Sequence, residues 1–293
     1  MKLSVIIPTR GDQNMQNIIT CLNRQSYKDF EVIFVVDKKL DTGHKMHDMG
    51  NIHYITNLTH NIPHNNASAL RNLGIKEARG EFVQLMDDDE QFDTDYLGKS
   101  LLLWNHYYTK LHKDFVLTPT LMYRKTGEIQ NQGFSHFNYF ISRPIPQRLG
   151  SKQWGYIQMY SGNSLLAPAH IFKENLFDEQ LDFVYEDLDF SYRIYHAGHP
   201  IIVLRDLKIY HMERYKTQLE KARVGNADSA YRKAKHRMVF VKKYGSFFQK
   251  IQFYVLGFWA QPLRLIAKIL FYAKGNQKWL LIKQVIKGTF SLL

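Results

Sequence analysis

Residues 81 to 92 read EFVQLMDDDEQF, a short apolar run that ends in three consecutive aspartates, Asp87, Asp88 and Asp89. Adjacent carboxylates repel one another, so the run is either a solvated acidic turn or a place where positive charge normally sits. Carboxylates are hard oxygen ligands suited to Mg²⁺ or Mn²⁺, ions that keep positions open for substrate phosphates. An Asp-x-Asp at a strand end, here Asp87 and Asp89, has the spacing to hold such an ion against a diphosphate. A second acidic pair, Glu186 and Asp187 in YEDLDFSYRI, heads a helical stretch, where the helix dipole also favours acids.

The elements that must position these groups follow from periodicity. KLSVIIPT is continuous in apolar residues, as a strand buried on both faces requires. DQNMQNIITCLNRQS has helical spacing at Met15, Ile18, Ile19 and Leu22; EVIFVVD and IHYI are strands; NNASALRNLGIKEARG is a helix with Gly80 as its stop; and EFVQLM delivers the aspartates. Strands alternating with helices predict a doubly wound sheet whose ligand site lies at the carboxyl ends of the strands. DYLGKSLLLWNHYYTKL is a further helix, and DFVLTPTLMYRKTGEIQ a hairpin turning near Gly127. Residues 131–160 form a long loop-rich stretch, and its aromatic residues favour a binding role, with Trp154 and Tyr156 as candidate acceptor contacts. GNSLLAPAHIF is a strand leading into a helix, YEDLDFSYRIYHAG a helix stopped by Gly198, and PIIVLRDLKIYHM a last strand.

A chain of 293 residues with 45% hydrophobic and 23% charged side chains has ample core for one large α/β domain plus an appendage. The single cysteine, Cys21, excludes an internal disulfide and fits a reducing compartment. Neither a signal peptide nor a membrane-spanning segment is expected, since Ile251–Leu263 is too short to cross a bilayer; a cytoplasmic location follows. Charge divides the chain in two. Of the 39 Lys and Arg, 13 lie between Ala230 and Leu293, where there is no Asp or Glu, so the first 229 residues carry 26 basic against 27 acidic side chains.

SVIIPT at 4–9, the run from Asn65 to Phe92, NLFDE at 175–179 and YEDLDFSYRI at 185–194 occur in an order that resembles the inverting glycosyltransferases of family 2. The resemblance covers residues 1 to about 212. It implies the GT-A nucleotide-sugar-binding fold, a mixed, mostly parallel twisted sheet flanked by helices, for residues 1–212, with residues 213–293 as a C-terminal helical extension. By the same resemblance Pro8, Thr9, Asp37, Arg71, Asp87 and Asp88 lie on the nucleotide-sugar side, and Asp89 and His211 ligate Mn²⁺ or Mg²⁺. Asp187 is the implied catalytic base, with Glu186 helping to place the acceptor. The chain departs from many members after Asp37, where VVDKKLDTG replaces an acidic, Gly-Ser-rich turn.

The tail interleaves basic residues with Trp, Phe and Leu; on a helical wheel Arg264 falls with Lys268, and Lys283 with Lys287. Such helices lie in an anionic membrane interface, the expected partner here. An oligomer formed through these helices is the next expectation, and nucleic acid is not expected, since phosphate binding does not call for long apolar stretches. The expected activity is transfer of a sugar from a UDP- or dTDP-sugar to a lipid-linked or cell-surface glycan, at the inner face of the membrane. Two alternatives are a sugar-nucleotide pyrophosphorylase, against which the single glycine of PTRGDQNMQ counts, and a non-catalytic glycan-binding or scaffolding subunit.

Overall fold

The computed structural model describes residues 2–9, 14–37, 52–56, 66–162, 164–182, 184–211 and 226–291. The chain separates into two compact units. The first comprises Met1–Ser135, Pro146–Asp182 and Glu186–Met212, the second His136–Ile145, Phe183–Tyr185 and Glu213–Leu293.

Up to residue 211 the order is β1 (Leu3–Thr9), α1 (Asn14–Asn23), β2 (Phe30–Val36), β3 (Ile52–Thr56), α2 (Ala67–Glu77), β4 (Phe82–Leu85), β5 (Glu90–Gln91) and α3 (Tyr96–Leu111). There follow β6 (Val116–Tyr123), β7 (Ile129–Asn131), β8 (Phe134–Asn138), β9 (Arg143–Pro146), β10 (Trp154–Ile157), β11 (Leu165–Pro168), α4 (Ala169–Glu174), α5 (Glu186–His196) and β12 (Ile201–His211). Among the described residues the main sheet runs β10-β12-β6-β11-β4-β1-β2-β3, with β5 beside β12 and β7 beside β6. β1 is parallel to β2 and β4, and β6 to β12, whereas β11 runs antiparallel between β4 and β6. With β10, β5 and β7 also antiparallel to their neighbours, the sheet among the described residues is mixed, six of its ten strands running in one direction.

Both faces of this sheet are covered, which is why its central strands are continuous apolar runs. Leu3, Val5 and Ile7 of β1 join Phe34 of β2 and Leu97 and Trp104 of α3 on one face. Ile6, with Val35 of β2, meets Leu70 and Ile75 of α2 and Phe190 of α5 on the other. Two sequence expectations are corrected. Residues 131–160 contain the three short strands β8, β9 and β10, each too brief to display a period-two pattern. Gly80 does not stop α2, which ends at Glu77 with Ala78 already extended. It is required because a Cβ there would stand 2.6 Å from the Ser4 nitrogen, and its own N–H donates to Ser4 Oγ at 2.7 Å. Gly198 does end α5, in the left-handed conformation at φ 95°.

In the second unit, α6 (Ala227–Tyr244) is followed by α7 (Phe247–Gln252), a π-helical turn (Phe253–Gly257), α8 (Ala260–Tyr272) and α9 (Asn276–Phe290). Asn226 caps α6 by accepting from Ser229 N, and Ser246 and Gln249 form a reciprocal capping box on α7. Ala230 of α6 packs with Leu265 and Ile269 of α8 and Leu281 and Val285 of α9. Buried Arg237 donates to the Phe258 carbonyl at 2.9 Å and lies over the Phe253 ring. The helical expectation for residues 213–225 falls outside the described residues.

Candidate active site

The order of the strands places the ends of β1 and β4 side by side, with the chain turning outward on either side of them. This is the switch point at which doubly wound sheets bind ligands. The four acids after β4 fan out from it, each to a different element. Arg71 Nη2 of α2 donates to Asp87 Oδ1 at 2.9 Å, and Thr9 Oγ1 at the end of β1 donates to Asp88 Oδ2 at 2.7 Å. His211 Nε2 at the end of β12 stands 3.1 Å from Asp89 Oδ2. Glu90 turns inward and is buried, where its carboxylate accepts from the Asp87 N–H at 3.1 Å and from the Ser164 hydroxyl. Repulsion within the run is relieved by this divergence. Burial, and then the charge of Asp87, hold the Glu90 carboxyl well above the usual carboxylate range.

Arg71 joins this acidic turn to the second acidic pair. Its Nη1 lies 3.7 Å from Glu186 Oε1, and the side chain is nearly inaccessible. Burial works against its charge, but Asp87 and Glu186 outweigh it, so the pKa stands above its ordinary value. Burial, and next the Asp187 carboxylate, push Glu186 up to about 8, with Arg71 pulling the other way. Asp187 is raised by burial too, opposed by hydrogen bonds from Gly162 N–H (3.0 Å, to Oδ2), Leu188 N–H and the Ser161 hydroxyl. It heads α5 and remains partly exposed.

The quoted motifs belong together for a physical reason. Ser68, Arg71 and Asn72 share one buried face of α2, at i, i+3 and i+4. Asn72 accepts from Phe177 N–H at 2.7 Å and donates to the Phe177 carbonyl at 3.0 Å, while Ser68 donates to the Leu181 carbonyl at 2.6 Å. The NLFDE segment is thereby fastened to the helix that carries Arg71. Directly before Glu186 the backbone is left-handed at Val184 (φ 67°) and Tyr185 (φ 75°), a conformation that costs a β-branched or bulky residue on the order of 1–3 kcal/mol and recurs at functional sites.

The sequence-derived candidates therefore fall into two groups. Arg71, Asp87 and Glu186 form one ion-paired cluster, the same aspartate run carries the pairs Thr9–Asp88 and His211–Asp89, and Asp187 follows Glu186 at the start of α5. Pro8 lies beside Thr9 on β1, and Asp37, buried, donates its N–H to the Thr9 carbonyl at 2.9 Å. Trp154 and Tyr156 are not brought there. They lie on β10, which pairs with Ile201–Leu204 at the start of β12, and from Leu204 to His211 is roughly 23 Å of strand. Glu90, Gly162 and Ser164 were not among the candidates. The available signal was a fourth acid in a row, which like-charge repulsion forces to point elsewhere.

Residues 4–154 match the family model described as glycosyl transferase family 2. The chain belongs to that family. It is 25% identical over 222 residues to the amylovoran biosynthesis glycosyltransferase AmsB of Erwinia amylovora, a match covering 72% of this chain and 70% of AmsB. Its structure resembles a crystal structure of S. aureus TarS 1–349, with a TM-score of 0.54, 18% identity and coverage of 98% of this chain and 91% of that one. The same protein in complex with UDP gives a TM-score of 0.53 at 17% identity, covering 100% and 91%. The fold is GT-A, and the protein is a glycosyltransferase.

Proposed function

We propose that this glycosyltransferase is inverting and metal-dependent, and that it moves a sugar from a UDP- or dTDP-sugar to a hydroxyl of a lipid-linked or cell-surface glycan. The observation that carries this is Arg71, buried and bridging Asp87 on the donor side to Glu186 beside Asp187. A relative named for amylovoran biosynthesis supports a role in polysaccharide biosynthesis, and a structural neighbour crystallised with UDP supports a uridine donor.

Asp187, raised in pKa and partly exposed, accepts the proton of the acceptor hydroxyl as that oxygen attacks the anomeric carbon from the face opposite the diphosphate. One base and one displacement give inversion with no covalent sugar–enzyme intermediate. Glu186, its carboxyl raised by burial and by the Asp187 carboxylate, stands beside the base and helps to place the acceptor hydroxyl. Asp89 and His211 would hold Mn²⁺ or Mg²⁺. A hard carboxylate oxygen and an imidazole nitrogen already face each other there, and among the described residues no group of three or more potential ligands is arranged to hold an ion alone. Two such ligands would leave positions for phosphate oxygens, and an ion held there would supply Lewis-acid stabilisation of the leaving diphosphate.

The second unit serves as a peripheral anchor to the anionic inner leaflet. Phe247, Phe248, Val255, Phe271 and Trp279 are exposed among Lys and Arg, with no acid after Asp228, and none of the described helices is long and apolar enough to cross a membrane. Nucleotide release from a panel of UDP- and dTDP-sugars, with and without Mn²⁺ or Mg²⁺, tests the activity. Release from at least one donor only with the ion is expected, and no release from any would overturn the proposal. That result would return attention to a non-catalytic subunit; membership of a glycosyltransferase family already answers the pyrophosphorylase alternative.

A further inference from the structure

Three connections meet at Glu90. Its backbone pairs with His211 across β5 and β12. One carboxylate oxygen closes the aspartate turn by accepting from Asp87 N–H at 3.1 Å, and the other accepts from the Ser164 hydroxyl. Ser164 is two residues beyond Gly162, whose N–H holds Asp187 Oδ2 at 3.0 Å. A hydrogen-bonded route therefore runs from Asp87 through the Glu90 side chain to Ser164, a near chain neighbour of the Gly162 that holds Asp187, and both Glu90 and Ser164 are almost wholly buried.

We propose that Glu90 is a positioning residue: it ties the turn carrying Asp87 and Asp89 to Ser164, two positions along the chain from the Gly162 N–H that holds Asp187, and so keeps the donor and acceptor halves of the site in register. The inference rests on the roles given above to Asp89 and Asp187. The chemistry of the residue is specific. An aliphatic side chain would leave a buried N–H and a buried hydroxyl unmatched. Glutamine can match both, its carbonyl oxygen accepting from Asp87 N–H and its amide donating to Ser164 Oγ.

The test uses the full chain and the variants Glu90→Ala, Glu90→Gln and Ser164→Ala, read by hydrogen exchange of peptides covering 86–92 and 158–166. Ser164→Ala alters one end of the route and should speed exchange at the other, in 86–92, by about fivefold or more through loss of local protection. Glu90→Ala should loosen both peptides, and Glu90→Gln should restore both to near the wild-type rate. In Mn²⁺-dependent hydrolysis of UDP-N-acetylglucosamine, Ser164→Ala should lower kcat by about tenfold with KM little changed, because misplacement of around 1 Å costs up to ~100-fold. The proposal is overturned if Ser164→Ala leaves 86–92 unchanged, or if Glu90→Gln is as disturbed as Glu90→Ala. Should Glu90→Ala fail to fold, the other two variants decide. A wild type inert toward this one donor would leave the broader UDP- or dTDP-sugar reading to the donor panel, and the exchange data would alone judge Glu90.

Discussion

Among the described residues each unit buries one arginine, and the two are treated in opposite ways. Arg71 lies between the carboxylates of Asp87 and Glu186, which hold its pKa above the ordinary value. Arg237 pairs with no carboxylate among the described residues. It donates to the Phe258 carbonyl and the Ser142 hydroxyl, faces two aromatic rings, and burial lowers its pKa to about 10. In the first unit a buried charge organises other charges that remain available for chemistry. In the second it fastens a turn to a helix, and the remaining positive charge is spread over a surface rich in exposed aromatics. On the function proposed above, chemistry belongs to the one and adhesion to the other.

That division can be broken by variants that cross it. Asp187→Asn keeps shape but removes the proton acceptor, so kcat should fall by about 10²–10⁴-fold with nucleotide affinity and liposome binding unchanged. Turnover within a few-fold of wild type would move the base elsewhere, with Glu186 next. Asp89→Ala should abolish the Mn²⁺ dependence of UDP binding in calorimetry, a loss larger than the roughly 10–100-fold that follows removal of a supporting neighbour of a metal ligand. Unchanged metal-dependent affinity would sink the role given to Asp89.

A pH experiment sharpens the same contrast. Glu186 has a folded pKa of about 8 against an ordinary 4.5, so between those values the native state holds a proton that the unfolded chain has released. Its contribution to stability is full below the lower value and is lost as pH rises toward the upper one, at about 1.4 kcal/mol per pH unit. Urea unfolding at pH 5, 6, 7 and 8 should therefore show a shallower decline for Glu186→Gln than for wild type. Parallel profiles would mean that Glu186 ionises normally. The smallest effect is expected in the second unit. Phe247→Ser with Phe248→Ser, at positions 72% and 79% exposed, should leave turnover of a soluble donor intact and weaken sedimentation with anionic liposomes several-fold. Undiminished sedimentation would favour an oligomer contact over lipid.

Much of the first unit could be read from sequence because burial on both faces writes itself as unbroken apolar runs, as in SVII and EVIFVV. The aspartates and the Glu186–Asp187 pair were visible because charge at the end of such a run is conspicuous. Glu90 was not, because its inward direction depends on Ser164, 74 residues away. Trp154 and Tyr156 show the converse. Aromatic content marked them as acceptor contacts, and their distance from the acidic residues depends on the pairing of β10 with the start of β12, which no local pattern reveals. Gly80 was mistaken for a helix stop since a close backbone approach leaves no local pattern.

The pairing of β5 with β12 brings together Asp89 and His211, which are 122 positions apart in the chain. Contacts so distant in sequence require costly loop closure and form late when a chain folds. A ligand that needs both side chains finds no grip on the unfolded chain or on its early collapsed forms. It should therefore slow unfolding without hastening folding, adding about 2.7 kcal/mol to stability at a hundred times its Kd.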